Sequence, residues 1–132
     1  MYKSATTALR VRYNECDPLG VVFNANYLLY ADIAINELWR EHVGGYESMM
    51  EGGLDLAVVE ANLRYFKPLR FDEEVDLVST VTHIGNKSMV TEVAMKLGEE
   101  EVAAAALTHV CVDSGSKESR SIPDSVRNAL TA

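Results

Sequence analysis

The spacing of apolar and polar residues changes period along this chain, and each change marks an element. In residues 7–14, TALRVRYN, Leu9, Val11 and Tyr13 alternate with Arg10, Arg12 and Asn14. That is the period of two expected of a half-buried strand, with Tyr13 on the inner face. The period then lengthens. From about Ala25 to Val43, Leu28, Ala31, Ile35 and Leu38 form one apolar stripe with Trp39 beside it, while Asp32, Asn36 and Arg40 fall on a polar face, which predicts a helix. The side chain of Asn24 or Asn26 is placed to cap it by accepting from a free backbone N–H of the first turn. Gly44-Gly45 stops it, because glycine takes the left-handed conformation that helix ends favour. At ~1.5 Å per residue the helix is about 28 Å long, and the pattern predicts no other long one.

The remainder reads as strands. In GLDLAVVEANLRYFKPL, Leu54, Leu56 and Val58 alternate, then Ala61, Leu63 and Tyr65 alternate one position out of phase. One extra residue near Glu60 restores the register, which predicts a bulge; Pro68 ends the strand. Residues 75–84 and 89–97 are strands joined by the turn GNKS, and in the second Met89, Thr91, Val93, Met95 and Leu97 share a face. GEEE turns into a last strand, 102–112, whose alanines are also good helix formers and are small enough to let a helix or another subunit approach. The tail is polar, then briefly helical after Pro123. Strand, long helix and four strands predict an α+β layer architecture in one domain, 1–132. A sheet of this kind leaves an edge and a face to cover, which predicts a homo-oligomer, a dimer or tetramer.

Composition narrows the function. The chain has 132 residues, 48% hydrophobic and 24% charged, with a net charge of −8. This is a soluble globular composition, and the negative field argues against nucleic acid as a partner. No apolar run reaches the ~20 residues of a membrane helix, and the N-terminus has no apolar signal core, so a cytoplasmic protein is expected. Cys16 and Cys111 are too few and too far apart for a disulfide framework. His42, His83 and His109 lack paired-ligand spacing, so no metal is expected.

The chemistry concentrates in ECDPLGVVFNANY. Asp-Pro-x-Gly is ordinarily a turn, since the aspartate side chain bonds its own backbone two residues on. Here, however, the turn runs straight into the helix entrance. A tight bend at Pro18–Gly20 would bring Asp17 toward the free amides near Asn24, placing a nucleophile or base beside preorganised donors, as acyl transfer requires.

From residue 11 the stretch VRYNECDPLGVVFNANYLLYADIAINELW resembles the hotdog-fold thioesterases, specifically the 4-hydroxybenzoyl-CoA thioesterase family and its YbgC-like relatives. Asp17, Pro18, Gly20, Val22, Asn26 and Tyr27 match the family pattern, and the resemblance continues downstream through LRYFKPLRFDEEVDLVSTVTHIGNKSMVTEVAM to IPDSV. It implies a curved five-stranded antiparallel sheet wrapped round one helix, and hydrolysis of an acyl-CoA thioester. It also implies that Asp17 is the catalytic carboxylate, as nucleophile or as base on a water, and that the Asn24 amide polarises the carbonyl. Many YbgC-like members carry a histidine where this chain has Asn24; that removes an acid or base but leaves the backbone donor.

Coenzyme A carries phosphates, so local cations are needed on an acidic protein. Arg64, Lys67 and Arg70 are candidates, and Lys87-Ser88 is similar to a basic-Ser pair that the family uses near a subunit interface. Gly20, Phe23, Asn26 and Tyr27 would shape the entrance, with Phe23 and Tyr27 as candidate walls for the acyl group. Asp32, Glu37 and Glu60 read as structural; the first two, five residues apart, do not share a helix face. Coenzyme A enters as part of the substrate, and no cofactor is implied. Two other readings stand beside this one. One is a non-catalytic module binding acyl-CoA or an acyl carrier, although an acidic carrier is disfavoured by like charge. The other is a helix-on-sheet fold of the cystatin-like or NTF2-like kind, in which Asp-x-x-Gly would be accidental.

Overall fold

The computed structural model describes residues Met1 to Ala132. In chain order the elements are β1 (Ser4–Arg10), a 3-10 turn (Tyr13–Glu15), α1 (Asn26–Val43), α2 (Tyr46–Glu51), β2 (Leu54–Tyr65), β3 (Glu74–Ile84), β4 (Ser88–Leu97), β5 (Glu100–Asp113) and α3 (Asp124–Leu130). The five strands form one sheet in the order β1-β3-β4-β5-β2, every neighbouring pair antiparallel. β1 and β2 are therefore the two edges. The sheet wraps α1, which touches all five strands.

The helix stripe explains this arrangement. Ala31, Ile35 and Leu38 are buried as the spacing predicts, and Tyr27, Tyr30, Ala34 and Trp39 join them. Facing them across the sheet are Leu77, Met89, Val93, Met95 and Leu107, all buried. Each fully buried large side chain contributes about 1.5–3 kcal/mol, so this seam dominates the stability of the fold. Gly44 ends α1 at φ 89°, in the left-handed region, as expected of a C-terminal glycine. The bulge also falls where the phase change puts it, between Val58 and Glu60.

Four expectations need correction. β1 ends at Arg10 rather than continuing through 14, because Arg12 and Glu15 bond each other and wind residues 13–15 into a 3-10 turn. Tyr13 consequently points outward, 80% exposed, edge-on to Phe71. Leu28 is also exposed, since Tyr27 and Tyr30 take the inward positions at that end of the helix. Neither Asn24 nor Asn26 caps α1 through its side chain; the N-cap is Ala25, and the Asn26 amide reaches back to Glu15 O instead, at 2.8 Å. The short helix α2, which buries Met49, was not anticipated.

β2 runs antiparallel to α1. Its end meets the helix entrance, where the Tyr65 hydroxyl donates to Asn24 O at 3.0 Å. Its start meets the helix exit, where Asp55 accepts from the hydroxyl of Tyr46 on α2. No helix of the chain is long and apolar enough to cross a membrane.

Candidate active site

Residues 15–17 and 21–23 pair as a miniature ladder. Phe23 N–H donates to Glu15 O at 2.9 Å, Asp17 N–H donates to Val21 O at 2.8 Å, and Cys16 bridges Val22 between them. Gly20 closes the loop at φ 80° with open space where a Cβ would stand. Its glycine is therefore required by the backbone conformation rather than by crowding. A second set of bonds moors the loop to the segment after β2, with Val22 N–H on Leu69 O at 2.8 Å and a bridge from Val21 to Arg70.

In this frame Asp17 does two things. Oδ1 accepts from Leu19 N–H at 2.9 Å, the local bond that makes an Asp-Pro turn. Oδ2 has no partner within the chain and remains available to a substrate or a water.

The helix entrance opposite is equally specific. Asn26 N–H donates to Phe23 O at 2.9 Å, making residues 23–26 a turn with Asn24 and Ala25 at its centre. Carbonyl and amide of one trans peptide point opposite ways. Because Phe23 O faces into the helix, the Asn24 N–H faces out. The same holds one residue on: Asn24 O accepts from Tyr27 N–H at 3.3 Å and from Tyr65, so the Ala25 N–H also faces out. Neither amide has an acceptor within the chain. Two adjacent outward amides at the positive end of a helix favour a developing negative charge. Two ladder steps lead from the Asp17 row to the Phe23 row, and Asn24 follows in the turn, on the order of 10 Å from Asp17 between α-carbons, which leaves room for a thioester between carboxylate and amides.

The other sequence candidates divide by position. Phe23 is half-exposed at the loop, and Asn26 holds the entrance through Glu15 O. Tyr27 is buried beneath it; its hydroxyl accepts from Leu69 N–H at 3.2 Å, so it braces the loop from within. Arg64, at the end of β2, is exposed. Lys67 follows it and pairs with Glu100. Lys87 and Ser88 lie elsewhere. From Ser88 to Met95, whose row leads through Ala103 to Tyr65, is about 24 Å along β4 at ~3.4 Å per residue. Lys87 bonds Ser119 at 3.4 Å, at the opposite end of the sheet from Asp17. Among the carboxylates read as structural, Asp32 holds Asn36, Glu37 pairs with Arg40 and Glu60 sits at the bulge.

Three participants escape sequence reasoning: the Ala25 amide, Tyr65 and the buried Glu15. Only for Glu15 was there a signal, the Arg-x-x-Glu spacing from Arg12. Cavity volume does not single out Asp17 or Asn24: a recess of about 540 Å³ runs along Ala8 to Tyr13 with Phe71 and Asp72 and includes neither. A recess of about 450 Å³ sits at the far end of α1 among Val43, Met49, Leu54 and Val126. Its two basic side chains are occupied, His42 by Ser4 O and Arg120 by Gly53 O.

Comparison with known proteins identifies the family. Residues 11–130 match the model of the thioesterase-like superfamily. The chain belongs to that superfamily. Among individual relatives it is 26% identical over 119 residues to the acyl-CoA thioester hydrolase YbgC of Escherichia coli, covering 89% of each chain. It is 29% identical over 107 residues to the putative acyl-CoA thioesterase YneP of Bacillus subtilis, covering 80% of this chain and 77% of that one. A solved structure of a hypothetical protein from Aquifex aeolicus superposes with a TM-score of 0.91 at 25% identity, covering 96% of this chain and 99% of the other. The wrapped helix of this superfamily member is the hotdog fold.

Proposed function

We propose that this thioesterase-like chain hydrolyses acyl-CoA thioesters to a carboxylic acid and free coenzyme A, with Asp17 as the catalytic carboxylate. One observation carries the reading: a carboxylate with a free oxygen stands across a short ladder from two outward, unpartnered helix-entrance amides. The thioester carbonyl oxygen lies on the Asn24 N–H, with Ala25 N–H beside it, and the charge that develops on attack is held there. Two routes balance. In one, Asp17 Oδ2 bonds to the carbonyl carbon and the C–S bond breaks. The thiolate leaves and takes a proton, and water then hydrolyses the mixed anhydride. In the other, Asp17 takes a proton from water as its oxygen attacks the carbon, and the proton passes to the departing thiolate. Neither route draws on a metal or a redox cofactor.

The active unit in this reading is a homo-oligomer in the cytoplasm. Asp17 is partly exposed in the single chain, and β2 presents a free edge with Val58 and Val59 exposed. Two β2 edges pairing about a two-fold axis run antiparallel. That pairing brings the partner's Lys87, with its hairpin, to the Asp17 end of this chain, closing the distance that one chain leaves open. Arg64 and the partner's Lys87 then meet the phosphates of coenzyme A, while Phe23 flanks the acyl group.

The test is thiol release from a panel of short, branched and aromatic acyl-CoAs, with light scattering on the same sample. The reading expects release from at least one substrate and a dimer or tetramer. Coenzyme A binding without release from any member would make the chain a binding module instead, and a monomer that turns over would remove the shared site.

A further inference from the structure

Glu15 is a carboxylate that the proposed chemistry does not use, yet it is only 6% exposed, an unusual place for a charge. Every lone-pair direction it offers is answered. Oε1 accepts from the Arg12 backbone N–H at 2.9 Å and the Tyr30 hydroxyl at 2.8 Å. Oε2 accepts from Arg12 Nε at 2.9 Å and Nη2 at 2.6 Å. Burial pushes its pKa up, but the bonds from Arg12 and Tyr30 and the Arg12 charge outweigh burial and leave it below the usual value. The carboxylate is therefore charged at neutral pH. Its backbone carbonyl is as fully engaged, by Phe23 N–H at 2.9 Å and by Asn26 Nδ2 at 2.8 Å.

These bonds join three parts. Tyr30 is fully buried in α1 and packs within the core. Arg12 ends the approach from β1. Phe23 and Asn26 are the turn whose peptide directs the Asn24 N–H outward. Asp17 follows two residues after Glu15 on the strand that this side chain fixes. We propose that Glu15 is a positioning residue, setting where the Asp17 carboxylate and the Asn24 amide stand relative to each other without touching substrate. The inference rests on the acyl-CoA hydrolysis proposed above. A displacement of ~1 Å at such a site can cost about 100-fold in rate.

Glu15→Gln keeps the shape but loses the charge and half the acceptors; Tyr30→Phe removes a single bond and leaves the ring in the core. The expected result is a kcat lowered about 10- to 100-fold in Glu15→Gln and less in Tyr30→Phe, with KM within about threefold of the parent. Hydrogen exchange adds a readout independent of activity. The Asp17 and Phe23 amides should exchange at least about tenfold faster in Glu15→Gln, as expected of local opening, while β4 amides keep the parental rate. If the parent releases no thiol from any acyl-CoA, the functional reading fails, and the exchange pattern alone decides the positioning. Parental kcat and parental loop exchange in both variants would overturn the proposal. So would a uniform rise of exchange across the sheet, which marks a residue that serves only global stability.

Discussion

At its exit α1 stops on Gly44 at φ 89°, where Gly45 N–H donates back to Trp39 O at 3.1 Å and α2 and α3 pack alongside. At its entrance the Asn24 and Ala25 amides donate to nothing in the chain, and the surrounding loop is moored by Glu15, Leu69 and Tyr65. The sealed end satisfies its own backbone and so contributes to stability. The open end leaves two donors unsatisfied and needs outside bonds to keep its shape, which makes sense where the donors are meant for a ligand. Substitutions at the two ends should therefore separate stability from turnover.

Among substitutions in the helix ends themselves, the largest separation is expected from Asn24→Pro. Asn24 is the second residue of the turn Phe23–Asn26, a position that proline favours, and its N–H makes no bond to lose. Losing one oxyanion donor costs about 10²–10³-fold in kcat, so thiol release should fall by that factor while the urea midpoint stays near the parent's. Next, Gly44→Ala places a Cβ at φ 89° with only ordinary contacts, the nearest to Ser48 at 3.5 Å. The expected loss is about 1–2 kcal/mol of stability from the left-handed backbone, read by urea denaturation, with kcat unchanged. An equal loss of kcat would couple the two ends and break the comparison.

The smallest effect concerns pH. His109 is buried against Trp39, their ring centroids 5.0 Å apart. Burial lowers its pKa below 6.5, opposed by the charge of Asp32. The unfolded chain thus takes up a proton as pH falls through about 6.5, while the folded chain does not until lower pH. Stability should be level above that value and decline between pH 7 and pH 5.5. In His109→Gln that part of the decline disappears, which denaturation at the two pH values measures.

How much of this was legible in sequence differs between the same two ends. The exit was written locally: Gly44-Gly45 after an apolar stripe is enough to stop a helix, and Ala31, Ile35 and Leu38 are buried as their spacing demands. The bulge at Glu60 was equally readable, because a phase change needs only neighbouring residues. At the entrance the local signals misled. Alternation carried β1 through Tyr13, because nothing in the period shows that Arg12 folds back onto Glu15. Asn26 looked like a cap, but its side chain is claimed by a carbonyl eleven residues away. Tyr30 and Tyr65 reach the loop from 15 and 41 residues away, distances at which no spacing rule operates. The Asp-x-x-Gly motif marked the place, and the tertiary bonds that hold it open had to be seen.

Asp17 is where the proposed mechanism is most exposed to test. Its Oδ1 makes the turn and its Oδ2 is free, and Asp17→Asn keeps an oxygen for the Leu19 bond while removing the nucleophile or base. Steady-state thiol release by Asp17→Asn, beside circular dichroism and urea denaturation of the same preparation, is the deciding measurement. The expected result is a kcat lower by about 10²–10⁴-fold with the parental fold and midpoint. Turnover at the parental rate by a folded Asp17→Asn protein would contradict it.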